Sequence, residues 1–226
     1  MKKMKITVFG MALLTIVSCS TQSGNGALIG TGAGAVLGAV VGKLAGNTVV
    51  GAAVGGAVGA TAGTLIGRHM DKVKAEAQAK LANAKVEEAT DANGLSAVKV
   101  TFDNGILFQT GKYALQPSAK NELANFANVL KNNADCSVSV QGYASSEGAE
   151  AFNLTLSQNR ANSVTTYLTN TCGVAPSQIA STIGYGETNL IRNSDGTENR
   201  IASRRVEVYL YASAKMIEAA KAGTLK

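Results

Sequence analysis

Glycine recurs at every fourth residue as Gly26, Gly30, Gly34, Gly38, Gly42 and Gly46, and after Asn47 and Thr48 the spacing restarts as Gly51, Gly55, Gly59, Gly63 and Gly67. Residues four apart share one face of a helix, so each ladder would present a flat stripe that admits another backbone closely. In water such a helix is weak, because each glycine costs about 1 kcal/mol relative to alanine. In a nonpolar medium the backbone must satisfy itself internally, and close glycine contacts add packing energy. An arm of about 20 residues would extend about 30 Å, the hydrocarbon thickness of a bilayer. The ladders therefore predict a helical hairpin over 26–67 that associates with a membrane; a soluble or disordered linker is the other reading. Of the 25 glycines, 14 lie between Gly24 and Gly67, where Lys43 is the only charged residue. The average composition, 46% hydrophobic and 16% charged, thus conceals two unlike parts.

Ahead of the ladders, Lys2, Lys3 and Lys5 precede an apolar run from Ile6 to Val17. A basic start followed by a short apolar core reads as a signal peptide over 1–18, too short to span a bilayer comfortably. It ends in Ile16-Val17-Ser18-Cys19, similar to a lipobox, so Cys19 is the expected site of lipidation, with 19–25 as a spacer. An ordinary secreted chain with an incidental cysteine is the alternative. Ser20 resembles the residue that follows the lipidated cysteine in lipoproteins sorted to the outer membrane.

The net charge of +6 falls to +3 once the three leader lysines are removed. From Leu95 to Tyr211, nine basic side chains face nine acidic ones. Nucleic-acid binding draws on a concentrated basic excess, and this span has none. His69, the sole histidine, is expected as an interfacial cap at the end of the second ladder. Residues 68–94, rich in Lys, Glu and Ala, read as a charged, solvated connecting helix that 91–94 terminates.

A folded domain is expected over 95–212. Residues 95–102 alternate apolar and polar, 103–105 supply a turn, and Ile106 to Phe108 continue extended. Pro117 opens a helix whose apolar face carries Leu123, Phe126, Ala127 and Leu130 and which Asn132 and Asn133 end. A strand at 137–141, a helix at 153–171 and strands at 179–183 and 205–211 complete the order β-α-β-α-β-β. That order implies an α+β domain with its helices on one face of a mixed sheet. The Ala-rich residues 213–226 read as a tail helix on the surface.

Within this span, Val140-Gln141-Gly142-Tyr143-Ala144-Ser145-Ser146-Glu147-Gly148 is followed by Asn153, Leu156-Ser157, Arg160-Ala161, Val164 and Tyr167-Leu168. Gly184-Tyr185-Gly186-Glu187, Asn193, and Arg200 with Arg204-Arg205-Val206-Glu207 come later in the same order. The set resembles the OmpA-like C-terminal domain, over about half the chain. The glycine ladders resemble the glycine-zipper segments of bacterial outer-membrane lipoproteins. The resemblance implies non-covalent binding to peptidoglycan through the diaminopimelate of the peptide stem. It gives Arg160 the carboxylate, which a planar, permanently charged guanidinium suits, and sets Asn153 at the site's edge.

Departures accompany the likeness. Where the family shows His-Thr-Asp, this chain has Tyr143-Ala144-Ser145, and where an Asp follows the first strand's Phe, Gln109 follows Phe108. The ligand's ammonium must then rest on Glu147, on the dipoles of Ser145 and Gln109, or be held more weakly. Loss of a charge-assisted hydrogen bond would weaken binding by about one to two decades. An OmpA-like fold serving protein interaction without wall binding is the other reading. Tyr143 either walls the ligand or packs beneath the loop. Of Arg204 and Arg205, one borders the groove while the other pairs with Glu207 or Glu187, or both are structural. Cys136 and Cys172 are an even pair at one edge, either bridged or two free thiols.

No nucleophile has a recognisable base, no His or Cys cluster has metal-ligand spacing, and neither an enzyme, a cofactor nor a metal is expected. The whole reads as a lipoprotein held in the outer membrane by acylated Cys19 and the hairpin, and to the wall by the domain. The alternative is a homo-oligomeric, pore-like assembly of the hairpins, with the domain as an interaction module.

Overall fold

The computed structural model describes residues 59–103 and 107–225. The leader, Cys19, the spacer and the ladders up to residue 58 lie outside the described residues.

The first helix, α1, spans Ala60–Lys80 after an N-cap at Gly59. Ala62, Ile66, Met70, Val73 and Ala77 recur at helical spacing and are all buried in the main core, and Leu81 closes the stripe. The last eight residues of the second ladder therefore belong to a helix packed on the folded domain. They correct the expected boundary at residue 67. Gly63 contributes no close packing there, since a Cβ on it would meet nothing within 4 Å. Among the described residues, no helix is long and apolar enough to cross a membrane.

The expected solvated connecting helix is also corrected. α1 stops at Lys80, and Ala84–Thr90 form a strand, β1, paired antiparallel with β2 at Ser96–Asp103. Helix-forming residues adopt the strand because pairing with β2 satisfies the backbone and buries Ala89, and tertiary context overrides local propensity. As the sheet's edge it carries charge outward: Glu87 meets Lys85 at 2.8 Å and Lys99 at 3.1 Å. The break expected at 91–94 is a hairpin turn. Asp91 Oδ1 accepts from the backbone N–H groups of Asn93 at 2.8 Å and Leu95 at 2.9 Å, and Gly94 takes φ 76°.

The remaining elements follow the expected order: α2 at Pro117–Asn132, β3 at Cys136–Tyr143, α3 at Glu150–Thr166 with a π-helical turn at Tyr167–Thr171, β4 at Ile179–Gly184 and β5 at Arg205–Ala212. A single turn, α4, at Arg200–Ser203 precedes β5, and α5 at Ala214–Lys221 follows it. The sheet order is β1-β2-β5-β3-β4, with β3 and β4 parallel and the other pairs antiparallel. The α+β class with a mixed sheet is as expected, with one strand added at the front. Phe108, expected to continue a strand, makes only an isolated bridge to Leu115.

Val98, Val100, Phe102, Val138, Val140, Val206, Val208 and Leu210 point into the core shared with the helices. Alternate positions carry Lys99, Gln141, Tyr143, Arg205, Glu207 and Tyr209 on the opposite face. α1 is fixed at its polar side by Glu76, which accepts from Lys80 at 2.6 Å, Asn132 at 2.6 Å and Asn133 at 2.9 Å. Burial alone would raise that carboxyl, but these hydrogen bonds outweigh it and hold it below the ordinary range. The tail is not merely on the surface. Ser213 caps α5 by accepting from Met216 N at 3.2 Å, and buried Met216, Ile217 and Ala220 join the core beside α1.

A chain that starts at Asp91 would lack α1 and β1 and expose the apolar surface they cover. It is expected to show no cooperative thermal transition by circular dichroism, whereas a chain that starts at Gly59 melts cooperatively.

Candidate functional site

α3 lies on β3 and β4 backbone against backbone. A Cβ at Gly142 would overlap the carbonyl oxygen of Ser157, and one at Gly184 would overlap the backbone of Gln158. The contact is sealed by polar bonds: Gly184 N donates to Gln158 Oε1 at 2.8 Å, and Gly186 N to Ser157 Oγ at 2.8 Å. Gly186 adopts φ 56°, and its carbonyl accepts from Ala144 N at 2.7 Å, tying the β4 turn to the end of β3. Asn153, Ser157 and Arg160 follow one another at four and three residues, so they share the face turned to these loops. Gly184→Ala is expected to lower unfolding stability by about 3 kcal/mol, read from denaturant midpoints at constant slope.

Arg160 is 1% exposed. Its Nε donates to the Lys112 carbonyl at 3.0 Å, and its guanidinium carbon stands 5.3 Å from the centre of the Phe108 ring. Nη1 is buried without a hydrogen-bond partner, and no carboxylate of the described residues forms an ion pair with this side chain. Burial, and then the charge of Arg204, pull the guanidinium down to about 10, so it is still cationic at neutral pH. A buried cation with a donor left over can accept an anion, and a planar carboxylate suits its fork.

Asn153, 3% exposed, sits two turns before Arg160 on α3. Its Nδ2 reaches the carbonyls of Ser145 at 3.1 Å and Glu147 at 3.2 Å, and lies 3.5 Å from Glu187 Oε2. It thus shapes the loop after β3. Arg204 Nη1 pairs with Glu147 Oε2 at 3.2 Å, and this half-open pair borders Arg160. Arg205 turns to the other face and pairs with Glu207 at 2.7 Å. Of the partners considered for the second arginine, Glu207 rather than Glu187 is the one it meets.

Tyr143, Gln109 and Ser145 complete the expected set. Tyr143 is 3% exposed, donates to Gln141 Oε1 at 2.8 Å, stacks on Tyr185 at 5.4 Å between ring centres and lies under Arg205 at 4.0 Å. Strand alternation puts it on the face away from α3, so it packs beneath the loop rather than walling a ligand. Burial, with the Glu207 carboxylate, pushes its hydroxyl well up. Gln109 is exposed on the loop that Arg160 holds, and its carbonyl accepts from Lys112 N at 3.0 Å. Ser145 is buried and serves through its carbonyl.

Sequence reasoning missed Phe108 and the Lys112 carbonyl as supports of Arg160, and Glu198, which accepts from Ser146 N at 3.1 Å. Only the Phe that precedes Gln109 offered a signal. Cys136 and Cys172 are free thiols, the second of the two states considered. Cys136 Sγ is turned to Met70 Sδ at 4.0 Å, while the carbonyl of Cys172 accepts from Lys131 Nζ at 3.2 Å.

The chain is similar to known proteins in sequence and in fold. The OmpA family matches residues 107–204, and the glycine zipper family matches 20–74. Outer membrane porin F of Pseudomonas aeruginosa is 31% identical over 60% of this chain and 39% of its own length. Probable lipoprotein YiaD of Escherichia coli is 32% identical over 64% of each chain. Peptidoglycan-binding protein ArfA of Mycobacterium tuberculosis is 30% identical over 62% of this chain and 47% of its own. The chain thus spans between about two fifths and two thirds of these relatives. A MotB like protein from Desulfovibrio vulgaris shares the fold, with a TM-score of 0.55 and 19% identity over 68% of this chain and 96% of that one. Residues 107–204 are an OmpA family domain, and the chain carries it behind a glycine-zipper segment.

Proposed function

We propose that the chain binds peptidoglycan non-covalently and anchors the cell envelope to the wall, with Arg160 as the residue that takes a carboxylate of the peptide stem. The observation that carries this reading is the buried, unpartnered Nη1 of Arg160. Leaving a charge-bearing donor unpaired is expensive within the protein, and a ligand carboxylate would satisfy it. The exposed 109–113 loop, bonded to Arg160 through Lys112, is the part that must shift to admit the ligand.

A zwitterionic stem residue such as diaminopimelate also brings an ammonium. Glu147, exposed and held only by Arg204, can exchange that partner for the ligand, since such an exposed pair is worth at most about 1 kcal/mol. Glu187, beside Asn153, supplies a second carboxylate at the same edge. These two groups stand in for the acids absent at Gln109 and Ser145. In this reading the domain positions and holds rather than transforms its ligand.

The names of the relatives support the wider setting. One is peptidoglycan-binding, one is an outer-membrane porin and one carries a lipoprotein name. We extend the reading to a lipoprotein of the outer membrane, acylated at Cys19 after removal of 1–18, with the domain in the periplasm and the glycine ladders adding membrane contact.

The test is co-sedimentation of the full chain, in detergent, with purified sacculi, with free diaminopimelate as competitor. The parent is expected to sediment and the competitor to release it. Arg160→Ala should weaken binding by at least about tenfold, and Glu147→Gln by less. A folded Arg160→Ala protein that sediments like the parent would sink the reading. Because the unliganded guanidinium is a buried charge without a counter-ion, Arg160→Met is expected to abolish sedimentation while leaving the melting temperature within a few degrees, read by circular dichroism.

A further inference from the structure

We propose that His69, Asp135 and Cys136 form a zinc site where α1 meets the start of β3. The nitrogen, oxygen and sulfur that these side chains offer lie within 4.8 Å of one another. His69 Nε2 and Asp135 Oδ1 are 3.5 Å apart. Zinc bonds of about 2.0–2.3 Å in a tetrahedron place neighbouring donors about 3.3–3.8 Å apart. One edge of that tetrahedron is thus already formed, and the others need a closure of about 1 Å.

The donor chemistry selects the ion. Thiolate, imidazole and carboxylate together are a borderline-soft set that zinc accepts. Two anionic ligands neutralise a dication, whereas Cu⁺ in the same site would leave a net negative charge in a half-buried place. Coordination releases the Cys136 thiol proton to solvent. A water completes the fourth position, reached on the side of Asp135, whose side chain is 33% exposed, while Cys136 is 1% exposed and the His69 side chain 15%. The Met70 thioether, 4.0 Å from Cys136 Sγ, walls the site's inner side.

Spacing in the chain concealed this cluster. His69 belongs to α1, 66 residues before the adjacent pair at the start of β3, and no local motif links them. His69, expected as an interfacial cap at the end of the second ladder, instead lies within α1 with its Nε2 beside Asp135. The cluster's place also gives the ion a role: one ligand comes from the helix that continues the glycine ladder, one from the turn before β3 and one from the first residue of β3, so zinc would pin that helix to the domain.

The test is zinc titration of the full, reduced chain in detergent against a chromogenic chelator, with Co²⁺ as the spectroscopic stand-in. One equivalent of Zn²⁺, a rise in melting temperature, and a thiolate-to-cobalt absorption are expected. Cys136→Ser, His69→Ala and Asp135→Asn should each bind at least about tenfold more weakly, a loss that changes in outer-shell partners alone can produce. Asp135→Asn leaves the apolar core intact and so keeps the test valid if the other variants fold poorly. Zinc affinity unchanged in a folded Asp135→Asn protein, cobalt binding without the thiolate band, or uptake of Cu⁺ to the exclusion of Zn²⁺ would each overturn the proposal.

Discussion

The site depends on how closely α3 can lie on the sheet. Two side chains of zero length, Gly142 and Gly184, let the helix backbone rest on β3 and β4 at a distance that any Cβ would forbid. That approach sets the height of every residue on α3 above the loops. Ser157 and Gln158 then bond the β4 turn, and Asn153 the loop after β3, so the loops are fitted to the helix rather than free of it. A helix held a methyl group higher would carry Arg160 out of reach of the Lys112 carbonyl. The preorganisation of the guanidinium is thus a property of two glycines on different strands.

Arg160 itself is a local conflict within an otherwise consistent fold. Its neighbours supply an aromatic face and one carbonyl but no anion, while Glu147 and Glu187 engage Arg204 and Asn153. Elsewhere the protein pairs its buried charge: Arg205 meets Glu207, and Tyr209 donates to the same carboxylate at 2.8 Å. The contrast separates an ion pair that completes a sheet face from a cation whose Nη1 finds no partner among the described residues.

What the sequence disclosed follows from where its signals are local. α2 was readable because Pro117, Leu123, Phe126, Ala127 and Leu130 state both a start and a face within one helix. α3 and the loops flanking it were readable from motif order, and that likeness also singled out Arg160 and Asn153. β1 was not readable, because an edge strand rich in Lys, Glu and Ala is specified by the partner it pairs with and not by its own composition. Tyr143 was ambiguous because the face a strand residue takes depends on register, which a motif does not state. The extent of α1 was obscured by the glycine period, which runs on through residues whose other face, at Ala62 and Ile66, belongs to the core. Donors brought together from α1 and β3 carry no sequence signal, since only folding makes them neighbours.

α5 packs beside α1, so the first and last elements of the described fold complete the same wall of the core. Contacts between segments so far apart in the chain close the largest loop among the described residues. α1 also rests on β1, β2 and α2, so α5 adds the last side of a seat that those elements already form. The two ends of the described fold are thereby fastened to each other through Met216, Ile217 and the buried stripe of α1, so loosening either end uncovers the other.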